Sequence, residues 1–321
     1  MHRTSGYQRF ARDIIAPKKN EIQEISGKLF SAWKGRKYGS WGGDLDPVVA
    51  TSVLIESPQH IIESFFQDEL SFTNLDLPSI NTVTIDRANW LFARSLLSQE
   101  SSLEYIRSIC QEAGLASIRS GAGVERLVAL CNAASTTINL ISADFENDGK
   151  GGSLAGAGLS PTENVYNEFY LNYKYNYAKG NFDLQAFCTA SDDNLADNTR
   201  SNADGNGATY RALCSTSQTK INKMRPWTSD SYWIRSKAVA DLFLKLMANW
   251  LAIQKWMFSA TMLYTANTLK LEMADKIKIT NDLLPSTVSN TRQFIVTRLV
   301  DGGMSRIGRI DGEFLMIPQI I

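Results

Sequence analysis

Three groups of side chains in this chain have types that could do chemistry. His60 could serve as base to a thiol of Cys110, Cys131, Cys188 or Cys214, as in a cysteine peptidase. Asp192, Asp193, Asp197 and Asp204, set among asparagines, could offer oxygens to calcium. Glu163 and Glu168 flank an aromatic run and could be the two carboxyls of a glycoside hydrolase. Each group also has a plainer reading. Cys110 and Cys131 fall on apolar faces and no Cys-x-x-Cys pair occurs, which describes buried thiols made in a reducing compartment. His60 falls in a first helical turn, where exposure is ordinary. The acidic stretch lacks the terminal Glu of an EF-hand loop and has Arg200 in its middle, which describes a solvated loop. Glu168 shares the polar side of its strand with Lys174, as a surface or interface charge would. No catalytic residue, cofactor or metal site is expected, and a hydrolase using Glu163 and Glu168 is the enzymatic alternative.

Composition narrows the classes further. Two histidines exclude three-His zinc sites and His-x-x-x-His metalloprotease helices. The 33 basic and 33 acidic residues balance, so the chain has no large positive field for gripping nucleic-acid phosphates. The longest apolar run, 238–263, is interrupted by Asp241, Lys245, Asn249 and Lys255, so no membrane span is expected. A length of 321 residues predicts two folded units more readily than one.

These side chains need elements to position them. Residues 1–35 receive no assignment, and the run from Lys34 to Gly43, with four glycines beside Tyr38 and Trp41, predicts an ordered loop. Ser57 and Pro58 start a helix carrying Ile61, Ile62, Phe65, Phe66 and Leu70. A second helix is expected from Thr84 or Asp86 to Ser98, and a third from Ser101 or Ser102 to Ala113, stopped by Gly114. The period then changes to two, predicting a three-strand meander over 116–120, 123–130 and 136–142. Asn147 to Gly152 and the small residues up to Ser160 mark a boundary. Beyond it, 165–177 alternates as a strand with rings on both faces and turns at Ala178-Lys-Gly180 into a return strand over 182–190. Pro226 and Trp227, with Thr228, Ser229 and Asp230 as caps, launch a long amphipathic helix over about 230–253, with Asp241 and Lys245 spaced as an ion pair. Strands follow at 256–264, 269–273, 277–279, 294–300, 305–310 and 314–317.

The reading is therefore α+β. An N-terminal segment 1–35 precedes a helical plus small-sheet unit, 36–150, and a β-rich unit, 161–321, with one long helix. Tyr166, Tyr170, Tyr173, Tyr175 and Tyr177 exceed what one face of a sheet usually buries, which makes them a candidate subunit interface.

The order of several segments resembles tail proteins of bacteriophages. They are Gly35-Arg-Lys-Tyr-Gly-Ser-Trp41, the stretch Glu56 to Leu70, the helix Ser102 to Gly114, the aromatic strand Asn164 to Tyr177, and Leu269-Lys-Leu-Glu-Met-Ala-Asp-Lys-Ile-Lys-Ile279. The last is similar to the Leu-x-Leu-x-x-Gly-Asp-x-Val strand-turn of tail hub domains, with Ala274 where those have glycine. The resemblance covers roughly residues 35 to 300. It implies a non-enzymatic component of the tail tip or baseplate hub, made in the host cytoplasm and carried in the virion. Such a protein forms a ring, often a trimer, that closes the tail tube and connects it to fibres or spike. The implied partners are further copies of itself and the tube, distal-tail, fibre or spike proteins, with no membrane and only transient contact with DNA. Hub proteins of this kind usually carry more chain ahead of the Gly35 segment, which implies a shortened or split version. A tail-associated cell-wall hydrolase and a prophage-derived interaction module are the alternatives.

Overall fold

The computed structural model describes residues 22–25, 28–31, 54–95, 100–130, 138–146, 154–190, 200–202, 209–281, 284, 288–289, 292–301 and 309–317. The glycine-rich run 34–43, Cys131, the turn at 302–303 and most of the acidic stretch lie outside these residues.

In the segment given no assignment, β1 (Ile22–Ile25) and β2 (Lys28–Ser31) pair as an antiparallel hairpin. Helix α1 (Pro58–Ser64) begins at its proline and continues through one wider π turn, Phe65–Glu69, which keeps Ile62 and Phe66 inside. The second helix, α2, is Leu77–Asp86, earlier than the spacing of Ala88, Leu91, Phe92 and Ser95 suggested. Ala88 lies in the turn that ends this helix, and the chain from Trp90 on runs extended, because Phe92 bonds through its backbone to Glu56 and bridges to Ile234, burying Trp90 and Phe92 without a helix. Helix α3 (Ser102–Ala113) is as expected: the Ser101 hydroxyl accepts from the Glu104 N–H at 3.2 Å, and Gly114 closes it in the left-handed region, φ 60°.

β3 (Leu115–Arg119) and β4 (Glu125–Ala129) form the expected hairpin. The third strand of the meander does not join it. Instead β5 (Ile138–Ile141) pairs in parallel with a strand of the C-terminal sheet, a long-range partnership that no local period encodes. The small-residue stretch read as a boundary contains β6 (Leu154–Leu159), an edge strand of that same sheet. Next come β7 (Glu168–Asn176), β8 (Asn181–Cys188) and the short β9 (Arg200–Asn202), parallel to β8. Helix α4 (Thr209–Ile221) was not foreseen. Pro226 and Trp227 do not launch a helix: β10 (Pro226–Asp230) lies parallel to β7, and the long helix α5 (Lys237–Leu251) starts later, with the Ser236 hydroxyl as cap. Its Asp241 pairs with Lys237 rather than with Lys245, whose ammonium sits 5.6 Å from the Tyr210 ring.

The C-terminal strands are β11 (Trp256–Leu263), β12 (Lys276–Thr280), β13 (Gln293–Asp301) and β14 (Arg309–Met316); β14 runs without a break through 310–314, where the sequence predicts a gap between two strands, and 305–308 lie outside the described residues. Residues 269–273 are not a strand: they leave the 3-10 turn Thr268–Lys270, continue irregularly through Leu271 and Glu272 and enter a turn at Met273 and Ala274.

Two sheets organise the chain. One has the order β10-β7-β8-β9, the other β5-β12-β13-β14-β11-β6. The larger sheet curls until the segment after β5 meets β11: Phe145 bridges Met262, and the Glu146 N–H donates to Thr261 O at 2.9 Å. Leu140, Phe145, Phe258, Met262, Ile277, Ile279, Phe294 and Phe314 fill the inside of the curl. The main core packs the helices on β7 and β8 and draws on residues from Ile62 to Ala252. Between the two cores lies the β3–β4 hairpin. Leu115, Leu127 and Ala129 face the helical core, while Ile118, Val128 and Leu130 face Ile295, Leu315 and Ile317 of the curled sheet. Alternation along two short strands thus joins both halves.

Candidate functional site

The chemical candidates do not assemble into a reactive centre among the described residues. His60 is 4% exposed, against the expectation of an exposed ring, and its Nε2 lies 3.4 Å from Thr84 Oγ1. Burial pushes the Cys110 thiol up to about 12, with the Glu125 charge adding to it, so the sulfur stays protonated and unreactive. Cys188 and Cys214 are buried, and Cys214 Sγ is 3.9 Å from the Cys188 carbonyl. Glu163 is exposed in the single turn Thr162–Asn164, whereas Glu168 is buried at the start of β7 and is not the surface charge its neighbours suggested. Among the described residues no group of three His, Cys, Asp or Glu side chains is placed to hold a metal ion. No helix among them is long and apolar enough to cross a membrane.

The five tyrosines separate into different environments. Tyr173 shares its strand face with Phe169 and Leu171, is 2% exposed and belongs to the main core. Tyr166 is half-buried against that core, and Tyr170 is half-buried across from Phe187 on the other face. Tyr175 and Tyr177 come together near the β7–β8 turn, ring centroids 5.0 Å apart and edge to face. Two rings that the spacing had not singled out join them. Phe182 lies 4.9 Å from Tyr175, and Tyr232 lies 4.9 Å from Tyr175 and 5.3 Å from Phe182. Tyr232 is 38% exposed, so the group ends at the surface. Alternation places Phe182 opposite Tyr175 once the hairpin is drawn. Tyr232 arrives from a segment remote in sequence and carries no such signal.

Backbone and charge hold this tip in place. Lys174, in the middle of β7, has a left-handed backbone, φ 59°, and its N–H donates to Ile234 O at 3.0 Å, tying the strand to the 231–236 segment. Glu112 of α3 accepts from the Ser231 hydroxyl and, at 3.3 Å each, from the Tyr232 and Trp233 N–H groups. Trp233 Nε1 donates to Ser108 Oγ at 3.1 Å, and the Arg94 guanidinium lies 5.7 Å from the Tyr232 ring and 5.5 Å from the Trp233 ring. The Tyr177 hydroxyl accepts from the Ser95 N–H at 3.2 Å. Arg235 donates to Tyr175 O at 2.7 Å, and both Arg235 and Lys174 are exposed with no carboxylate partner among the described residues. Such a surface offers stacking and cation contacts from immobile groups.

Three buried ionisable groups give stability an unusual pH dependence. Burial raises Glu63 from 4.5 to about 8. It raises Glu112 to about 7, against the pull of its Ser231, Trp233 and Tyr232 hydrogen bonds and the Arg94 charge. Burial first, then the Arg292 charge, lowers Lys255 from 10.5 to about 7, and its Nζ donates to Asn249 O at 2.7 Å at the end of α5. A raised carboxyl contributes stability that is complete below its ordinary pKa and lost as pH rises through the folded value. A lowered lysine contributes stability that is complete above its ordinary pKa and lost as pH falls through the folded value. These three contributions together are therefore smallest near pH 7 to 8. Geometry supports the proton on Glu63: Glu63 Oε2 and Gln59 Oε1, one helical turn apart, are both buried acceptors without a hydrogen-bond partner. A proton turns the first into a donor, and so does an amide. Glu63→Gln is expected to match the wild type at pH 4.5 and to exceed it by about 1–2 kcal/mol at pH 8 in urea unfolding. A gap of the opposite sign would show Glu63 ionised in the folded state.

Fold and surface together define an α+β chain in which a cluster of tyrosine and phenylalanine rings reaches the surface at Tyr232. No family model matches the sequence, and no curated protein matches it. Among solved structures the chain is similar to part of the virion of a native gene transfer agent particle, at 12% identity and TM-score 0.47, covering 80% of this chain and 46% of that one. It is similar to the 43 kDa tail protein of prophage MuSo2 from Shewanella oneidensis, at 11% identity and TM-score 0.41, covering 82% and 66%. It is also similar to the tail protein from Neisseria meningitidis MC58, at 12% identity and TM-score 0.40, covering 71% and 59%. The chain spans about half to two thirds of the length of these proteins.

Proposed function

We propose that this chain is a structural component of a bacteriophage tail tip, of the baseplate or hub kind, carried in the virion. It oligomerises into a ring that closes the tail tube and connects it to fibres or spike, and it works by geometry rather than catalysis. One observation carries this reading. In the stretch similar to the hub strand-turn, Ala274 stands where those domains have glycine, and its backbone has φ 60°, the left-handed conformation that glycine adopts freely. A left-handed residue at the position where the resemblance expects glycine supports the reading. Asp275 follows, its Oδ2 accepting from the Glu272 N–H at 2.8 Å, and β12 begins at the next residue. The curled sheet behind this turn and the half-buried tyrosines Tyr175 and Tyr177, which lead to the exposed Tyr232, suit a part made for assembly. The test is mass spectrometry of purified virions together with sedimentation of the isolated chain. Presence in the particle and a closed oligomer are expected. A stable monomer absent from virions overturns the reading.

A further inference from the structure

We infer that the surface running from Tyr232 across β10, β7 and β8 binds an uncharged glycan chain, through Tyr232, Asp230, Asn172 and Gln185. The inference stands apart from the ring reading above. Asp230, Asn172 and Gln185 are register partners on three neighbouring strands, so they project from one face of the sheet in a single row. Their side chains are joined: Asn172 Nδ2 donates to Asp230 Oδ1 at 2.8 Å, and Gln185 Nε2 donates to Asn172 Oδ1 at 2.9 Å. The row is about 10 Å long, at roughly 4.8 Å per strand. Tyr232 follows Asp230 by two residues and is 38% exposed. It is held by packing on Tyr175 and Phe182 and by its N–H bond to Glu112. Burial first, then the neighbouring Tyr175 and Asp230, hold its phenol above the ordinary pKa, so a protonated hydroxyl stands beside the row.

Chemistry selects the ligand class. An amide has two N–H donors and two lone pairs, and the row uses only part of them. Asp230 Oδ2, one N–H each of Asn172 and Gln185, and Gln185 Oε1 are left for a ligand. Donors and acceptors fixed side by side match hydroxyls, which donate and accept at once. A tyrosine face takes the C–H side of a sugar ring, and its hydroxyl adds a polar contact. Because these side chains already hold one another, a ligand does not have to order them. Other partners fit less well. No large apolar side chain of β7, β8 or β10 is exposed, so the face lacks the apolar centre of a protein interface. Charges of both signs are interleaved: Asp230 and Asp183 stand among Lys174, Lys179 and Arg235, Asp183 lies 3.7 Å from Lys179, and Arg200 takes up the register beyond Gln185. A polyanion or a polycation would meet repulsion as well as attraction there.

The test is binding of the fluorescently labelled full chain to a printed array of neutral and of sulfated oligosaccharides. Retention by at least one neutral oligosaccharide is expected. Asn172→Ala/Gln185→Ala and Tyr232→Ser are each expected to weaken that retention about tenfold or more, and Tyr232→Trp, which restores a ring, to keep it. Retention by the tryptophan variant also shows that the 231–236 segment still folds when its ring is changed. Failure to retain any neutral oligosaccharide overturns the inference. Stronger retention on the sulfated set overturns it too, by marking a contact made through charge. Undiminished retention by the amide variant or by the serine variant places the sugar elsewhere and overturns this site. Equal loss in the serine and tryptophan variants overturns the part given to Tyr232.

Discussion

Gly114→Ala is expected to cost about 3 kcal/mol, with no functional group removed. Two effects add at this position. The backbone is left-handed, φ 60°, which an alanine adopts at a cost of about 1 kcal/mol. A Cβ there would also sit 2.3 Å from Leu246 Cδ2, a buried side chain of α5, and 3.4 Å from Arg87 Nη2. Arg87 is fixed in turn, donating to Ala113 O at 2.7 Å and Gly114 O at 3.0 Å, so neither neighbour yields cheaply. Moving Leu246 disturbs the core and accounts for the remaining ~2 kcal/mol. Gly123→Ala is the control, since φ is 78° and nothing lies within 4 Å of its Cβ. It is expected to cost about 1 kcal/mol, the backbone part alone. Urea unfolding of both variants checks the difference; equal losses would mean that Leu246 accommodates the methyl.

Arg126→Met is expected to cost between about 2 and 3 kcal/mol, mostly at the seam between the two cores. Arg126 bonds to Asp275 at 3.0 Å and Glu272 at 2.5 Å and lies 3.6 Å from Asp76. Burial alone would lower its pKa, but the hydrogen bonds and charges of Asp275 and Glu272 outweigh that and leave it raised, so the cation is favoured. Methionine keeps the length and leaves three carboxylates facing one another. The added variant Glu272→Gln/Asp275→Asn should recover about half of the loss by removing that repulsion. Hydrogen exchange should quicken in β3, β4 and β12 before it does in α5. A uniform increase would show that the seam is not a separate point of failure.

Legibility in the sequence followed the range of the determining interaction. Helix α3 was readable because its limits are local: Ser101 caps Glu104 and Gly114 supplies the left-handed end. The β7–β8 hairpin was readable because alternation and the Gly180 turn sit within twenty residues of each other. Helix α5 was readable in its body but not in its start, since Pro226–Asp230 is held as a strand by β7, far away in the chain. The shifted α2 shows the same limit, with Phe92 extended against Ile234. At the candidate site the sequence pointed to Tyr175 and Tyr177 among five tyrosines, and it could not tell that Tyr173 faces the core or that Tyr232 completes the cluster.

By itself, then, the sequence determined the α+β class, the strand alternation, the helix cap at Ser101 and the stop at Gly114, because caps, turns and periods act between residues a few positions apart. Only the tertiary structure decided that β5 and β6 belong to the curled sheet, that Glu63 and Lys255 are enclosed, and that Gly114 lies against Leu246. Those outcomes depend on which distant surfaces meet, and burial is a property of the meeting rather than of either segment.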